Sequence, residues 1–356
     1  MESVTDFFDN YSYIDYEYGG FEDLPDHDYS QREVTHIISV VVYCTAFVLG
    51  VFGNAVVIWV TTCKSRPSVN SVWLLNLAVA DFIFVLSLPI TIDYVLRDFH
   101  WGFGVTMCKL TSFVSVVNMY ASVLFVTVLS LDRYISLVHH TWSQRHRTVC
   151  RAWIVCGGLW FIATCLSMPA LVFRDTIDVH GKTICFNNFH DHDPHKAATR
   201  HIIIVVVRTT VGFLLPFTAI TVTSVLLAVQ ASRPHATHQS NFSQLVLAII
   251  LAFFFCWAPF HIFCLMELSM HITFHLSEVL KVGFPLVTSL GFFNSCVNPV
   301  LYVLLGQKVR KLLKRSCLRL TKHSLRELSH SVSATESVLA SGAIAEPLEL
   351  TLVQNN

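Results

Sequence analysis

Long runs without a charged residue dominate this chain. Val34 to Cys63, Leu110 to Leu131, Ala152 to Phe173, Pro234 to Met266 and Val282 to Gln307 contain no Asp, Glu, Lys or Arg. About 20 helical residues cross the roughly 30 Å of hydrocarbon in a bilayer, so each run predicts a membrane-spanning helix. Two further runs carry one charge each, Asp81 within Pro67 to Ile92 and Arg208 within His201 to Ser232. The pattern predicts an all-α membrane protein: a bundle of seven transmembrane helices over residues 34–306, flanked by segments of different character.

Residues 307–317 alternate Lys308, Arg310, Lys311, Lys314 and Arg315 with Val309, Leu312 and Leu313, which predicts a short amphipathic helix lying on lipid at the inner leaflet. Cys317 at its end is a palmitoylation candidate, with an unmodified thiol as the alternative. Residues 318–356 are Ser-rich and predict a disordered cytoplasmic tail suited to phosphorylation. Residues 1–33 set ten acidic side chains against Arg32 and interleave them with tyrosines, a composition that cannot bury a core. This tail reads either as a solubilising segment or as an electrostatic collector for a basic extracellular protein, with Tyr11, Tyr13, Tyr16 and Tyr18 as sulfation candidates.

Composition supports the bilayer as solvent: 53% of residues are hydrophobic and 13% charged, with a mean hydropathy of +0.56. An odd number of crossings puts the termini on opposite faces. Lys64, Arg66, Arg145, Arg147, Arg151 and Arg233 mark the cytoplasmic loops, against Arg174, Lys182, Lys196 and Arg200 outside. The N-terminus is then extracellular, and Asn10 in Asn10-Tyr11-Ser12 becomes a glycosylation site. Most of the 11 cysteines lie within spans, but under the same topology Cys108 at the top of the third span and Cys185 in the long loop after the fourth both face the oxidising side; a disulfide is expected there, with two free thiols as the alternative.

Three features inside the spans carry chemistry. Asp81 is costly at membrane depth unless polar groups or a cation surround it. Asn118, Ser122, Asn294, Ser295 and Asn298 lie at helical spacings that can supply them, as a pocket for sodium or as a hydrogen-bonded knot without an ion. Pro259, beside Trp257 and after Phe253, and Pro299, after Asn298 and before Tyr302, kink the sixth and seventh spans and so predict levers. Asp132-Arg133-Tyr134, at the end of the charge-free run Leu110 to Leu131, places a carboxylate beside a guanidinium at a membrane boundary, a pair that can be held or released.

An enzyme is not indicated. His190, His192 and His195 lie in a loop rich in Asp and Pro without fixed ligand geometry. A transporter finds no matching halves with broken helices, and no nucleic-acid partner is expected.

In order along the chain, Gly53-Asn54, Leu77 to Asp81, Cys108, Asp132-Arg133-Tyr134, Trp160, Cys185, Cys256 to Pro259 and Asn298 to Tyr302 resemble the rhodopsin-like G-protein-coupled receptors. The resemblance implies a plasma-membrane receptor that passes ligand binding to heterotrimeric G proteins and arrestin. Ser115 stands where amine receptors place an aspartate, and Phe292 where opsins place the retinal-binding lysine. Phe99 to Gly104, Leu171 to Thr176 and Cys185 to Phe189 are similar to the chemerin receptors of the chemoattractant branch. Asn10 to Tyr13, Tyr43 to Gly50, Ser143 to Thr148 and His192 to Pro194 are closer to the second of that family's two members.

This implies recognition of the carboxyl-terminal peptide of chemerin, with Arg174 and Arg208 in or near the pocket and Glu267, Phe186, Asn187 and Trp101 as further contacts. An internal ion pair of Arg208 with Glu267 is the alternative. The chain departs from its relatives in three places: Arg133 stands where the second member has histidine, Ser224 where the wider family has tyrosine, and Gln239 where some members have an acid. Three receptor readings follow: a chemerin receptor that signals, a scavenging or arrestin-biased receptor for the same ligand, and a receptor for another chemoattractant peptide of the formyl-peptide or complement-fragment type.

Overall fold

A computed structural model describes residues 26–64, 66–179, 181–189, 193–231, 241–269 and 277–305. Seven helical stretches among them are long and apolar enough to cross a membrane. In chain order the elements are α1 (Asp26–Trp59), α2 (Val69–Val85), α3 (Leu88–Leu96), α4 (Gly104–Val138), α5 (His140–His146) and α6 (Val149–Phe173). There follow strands β1 (Arg174–Val179) and β2 (Lys182–Asn187), then α7 (Pro194–Thr209), α8 (Leu215–Ala231), α9 (Asn241–Ser269) and α10 (Ser277–Leu305). The first span sits inside a longer helix, since α1 begins at Asp26 while its apolar window begins at Ile37.

Proline breaks two of the spans in identifiable ways. Pro89 has no N–H to offer the carbonyl of Val85, and the second span splits into α2 and α3. Ser87 tightens the break, its backbone N–H and hydroxyl both donating to the Phe84 carbonyl at 2.9 and 2.7 Å. Pro216 likewise leaves the carbonyl of Gly212 without its usual partner, and Thr210–Leu214 opens into a π-helical turn between α7 and α8. Side chains cap where sequence allows: Ser68 accepts from the Ser71 N–H, Thr148 from that of Arg151, and Asp193 from that of His195.

The helices form a ring closed by α1 against α10, with α4 inside it touching α2, α6, α8 and α9. Burial follows this placement. In the apolar window of α4, 56% of residues are buried, against 17% for α6 at the periphery. The core gathers around α4, where Phe125 and Leu129 pack with Leu77 of α2 and Phe253 of α9. Phe161, Ile154 and Phe255 instead point outward, each about 70% exposed, the inverse of a soluble fold and suited to lipid.

Close helix crossings rest on glycine. A Cβ at Gly53 would come within 2.6 Å of the Pro299 side chain, so α1 and α10 approach closely only because none is there.

The β1–β2 hairpin and α5 extend the expected pattern. The hairpin had a readable signal in the β-rich run from Thr176 to Phe186 with His180-Gly181 at its turn, where Gly181 adopts φ +81°. Residues 1–25 and 306–356 lie outside the described residues, and with them Asn10, Tyr11, Tyr13, Tyr16, Tyr18, the amphipathic segment and Cys317; Gln239 does too.

Candidate functional site

Three polar centres lie along the bundle. The first is a cavity of about 320 Å³ at the hairpin end. The Cys108–Cys185 disulfide fastens β2 to the start of α4. Strand alternation then sorts the hairpin side chains: Cys185 and Asn187 line the cavity, while Phe186 between them is buried outside its lining.

Arg174 opens β1 opposite Asn187 and lines the cavity, as do Arg208 and Glu267. Trp101 lines it too. Its indole N–H is spent on the Gly104 carbonyl at 2.9 Å and its backbone N–H on the Thr183 carbonyl at 2.7 Å. Trp101 thereby knits the loop after α3 to β2, helped by the Lys182–Asp98 ion pair.

Arg208 donates to the Cys264 sulfur at 3.2 Å and lies over the Phe260 ring at 5.3 Å from its centre. Glu267 stands 3.9 Å from His201, whose ring stacks on Phe189. Sequence reasoning missed His201 and Phe189, because their meeting depends on how α7 sits against the segment after β2. At the inner end Trp257 borders the cavity, its ring against Gly291 and edge-on to Phe260. Phe253 lies behind it, fully buried.

The second centre surrounds Asp81, which has no exposed surface. Asn298 Nδ2 donates to Asp81 Oδ2 at 2.8 Å and Ser122 Oγ to Oδ1 at 3.4 Å. Asn118, with its amide turned to satisfy both ends, donates to Asp81 Oδ1 and the Ala80 carbonyl at 3.2 Å and accepts from Ser295 Oγ at 2.9 Å. Asn294 lies one turn from Gly291, buried, with neither amide atom hydrogen-bonded to a described residue. Asn298 Oδ1 and the Trp257 indole N–H are in the same position. A carboxylate with unsatisfied amide oxygens nearby is a donor set that fits a small hard cation. Asn54 ties the layer to α1, donating to the Ser295 and Gly50 carbonyls at 2.9 and 3.0 Å.

The third centre is at the opposite end. Asp132 and Arg133 are both buried, and Arg133 Nη2 reaches Asp132 Oδ2 at 3.2 Å and Asn70 Oδ1 at 2.6 Å. Arg147, from the segment after α5, grips Asp132 with two contacts, Nε to Oδ1 at 2.7 Å and Nη2 to Oδ2 at 2.8 Å, and also bonds Asn70. Asn70 and Arg147 were not expected here; they lie 62 and 15 residues from Asp132, and only folding shows the meeting. Tyr134 is half-buried beside the His139 ring. Ser130 and Thr223 bond at 2.8 Å, linking α4 to α8 next to Ser224. Pro299 is buried against α1; Tyr302 belongs to α10, and its side chain lies outside the described residues.

Comparison with known proteins agrees with this layout. Residues 53–302 match the family described as 7 transmembrane receptor (rhodopsin family). The chain is 41% identical over 338 residues to chemerin-like receptor 2 of Homo sapiens, covering 95% of this chain and 94% of the relative, and equally so to that of Macaca fascicularis. It is 40% identical over 306 residues to chemerin-like receptor 1 of Mus musculus, covering 83% and 82%. These are receptors rather than enzymes, and the match spans all three polar centres. The chain belongs to the rhodopsin family of seven-transmembrane receptors, in the group of the chemerin-like receptors.

Proposed function

We propose that the chain is a plasma-membrane receptor, with its N-terminus outside, for the carboxyl-terminal peptide of an extracellular chemoattractant protein of the chemerin kind. The cavity carries this reading. Arg174 and Arg208 line one aromatic chamber with Trp257 at its inner end, and a desolvated guanidinium suits a carboxylate. The relatives' names point to the same ligand.

The acidic tail captures a basic protein, and the peptide end enters beneath the hairpin. Pressure on Trp257 moves the far half of α9 about Pro259. The Asp81 layer, which we assign as a sodium pocket of the closed state, collapses, and Arg133 is released to a G protein or arrestin. A ligand shifts this equilibrium only by its preference for the open state, typically about 1–3 kcal/mol. The intact Arg133, held by Asn70 as well as Asp132, favours a signalling receptor over a scavenger.

The test applies chemerin carboxyl-terminal peptide, as free acid and as amide, to cells expressing wild type or Arg208→Ala, with G-protein activation and arrestin recruitment measured together. Wild type responds to the acid, and Arg208→Ala weakens the acid about tenfold more than the amide, as loss of a charge-assisted pair implies. Equal losses reject the carboxylate role. No binding and no response reject the ligand, and arrestin recruitment alone selects the scavenging or arrestin-biased reading.

A further inference from the structure

At the Asp132 centre one carboxylate is shared by two guanidinium groups, and the sharing is unequal. Arg147 engages both oxygens at 2.7 and 2.8 Å, whereas Arg133 keeps one contact at 3.2 Å. Asn70 Oδ1 accepts from both arginines, which places two like charges side by side. The Asp132 and Arg133 side chains are 9% and 10% exposed, against 23% for Arg147 at the rim.

A buried carboxylate that loses its only cationic partner is left uncompensated, and that loss opposes any step that removes the partner. Here Arg133 can swing away while Asp132 remains held bidentately. We propose that Arg147 is a positioning residue of the switch: it keeps Asp132 paired when Arg133 departs, and so lowers the free energy of the open state.

The proposal rests on the reading of Arg133 as the group released to the intracellular partner, but not on the ligand. It reverses the effect expected of a simple lock. A lock predicts that deleting Arg147 raises activity without ligand; a stand-in for Arg133 predicts that deletion lowers it.

The experiment compares wild type, Arg147→Ala, Arg147→Lys, Asp132→Asn and the Asp132→Asn, Arg147→Ala double variant in full-length receptor, normalised to surface expression. One readout is ligand-free nucleotide exchange on a panel of co-expressed G proteins. The other is the distance distribution between spin labels at Cys63 and Leu247→Cys, exposed positions in the π-helical turn Val60–Lys64 that follows α1 and on α9, in receptor reconstituted in lipid discs with the other exposed cysteines replaced.

Arg147→Ala is expected to lower exchange about fivefold and to depopulate the longer distance, the scale of a partly buried charge pair. Arg147→Lys restores part of it, because an ammonium cannot bridge both oxygens. In the Asp132→Asn background, removing Arg147 has no further effect, since no carboxylate remains to strand. A rise on Arg147→Ala, no change, or an equal loss in the Asp132→Asn background overturns the proposal. If no G protein responds to wild type, the G-protein reading fails, while the distance measurement still decides the role of Arg147. If Arg147→Ala does not reach the surface, Arg147→Lys against Asp132→Asn gives the same comparison.

Discussion

Asp81 makes the cost of a charge in hydrocarbon concrete. It has no exposed surface, and its neighbours answer that burial with three side-chain donors, from Asn298, Ser122 and Asn118. The spacing of these residues was legible in the sequence because each is a polar break in an apolar run. The unsatisfied amide of Asn294 was not, since satisfaction is a property of neighbours in space. If the layer holds sodium in the closed state, raising sodium in membranes lowers affinity for an activating peptide by about fivefold, within the usual allosteric range. Asp81→Asn abolishes the dependence. Peptide affinity indifferent to sodium in the wild type argues for a hydrogen-bonded knot alone. Phe186 gives the complementary lesson: neighbours in sequence, it and Asn187 alternate along one strand, and only Asn187 lines the cavity.

At the scale of elements, proline and glycine decide where helices bend and how near they come. Pro259 and Pro299 were legible in the sequence as kinks, whereas Pro89 and Pro216 were not, and there the spans break with different outcomes, a split helix in one case and a π turn in the other. Gly53 allows a testable contrast. Valine there must push into Pro299 of α10 and is expected to cost about 1–3 kcal/mol, as overpacking of a tight contact does. Valine at Gly157, where a Cβ meets nothing within 4 Å, is expected to be near neutral. Thermal unfolding of the two purified variants in detergent checks this, and equal midpoints would show that the α1–α10 approach is not tight. The hairpin is pinned at several points, through Cys108–Cys185, Trp101 to Thr183 and Lys182 to Asp98. It is therefore a fixed part of the cavity roof rather than a loose loop.

For the whole molecule, charge is concentrated at the ends and in three internal centres, while large apolar side chains cover the flanks. This arrangement suits a protein that takes a signal at one face and gives it at the other. The acidic tail belongs to this scale, because its effect is long-ranged and salt-screened. With sulfate on Tyr11, Tyr13, Tyr16 and Tyr18, replacing these and Tyr29 by Phe removes negative charge and is expected to slow association of full-length chemerin about tenfold at low salt. The short carboxyl-terminal peptide should bind unchanged, since it reaches the cavity without needing capture. Surface-binding kinetics with both ligands measure it; equal effects on protein and peptide would show that the tyrosines act on the cavity instead.

By itself the sequence determined the seven apolar spans and the polar residues that could not face lipid. Each of these is set locally, by how many apolar residues span a bilayer or by what a side chain costs there. Only the tertiary structure decided which polar groups meet. It brought Arg147 and Asn70 to Asp132, set His201 beside Glu267, placed Arg208 over Phe260 and turned Phe186 out of the cavity. Those pairings join residues far apart in the chain or opposite across a strand, and helix packing and strand pleat fix them, not sequence spacing.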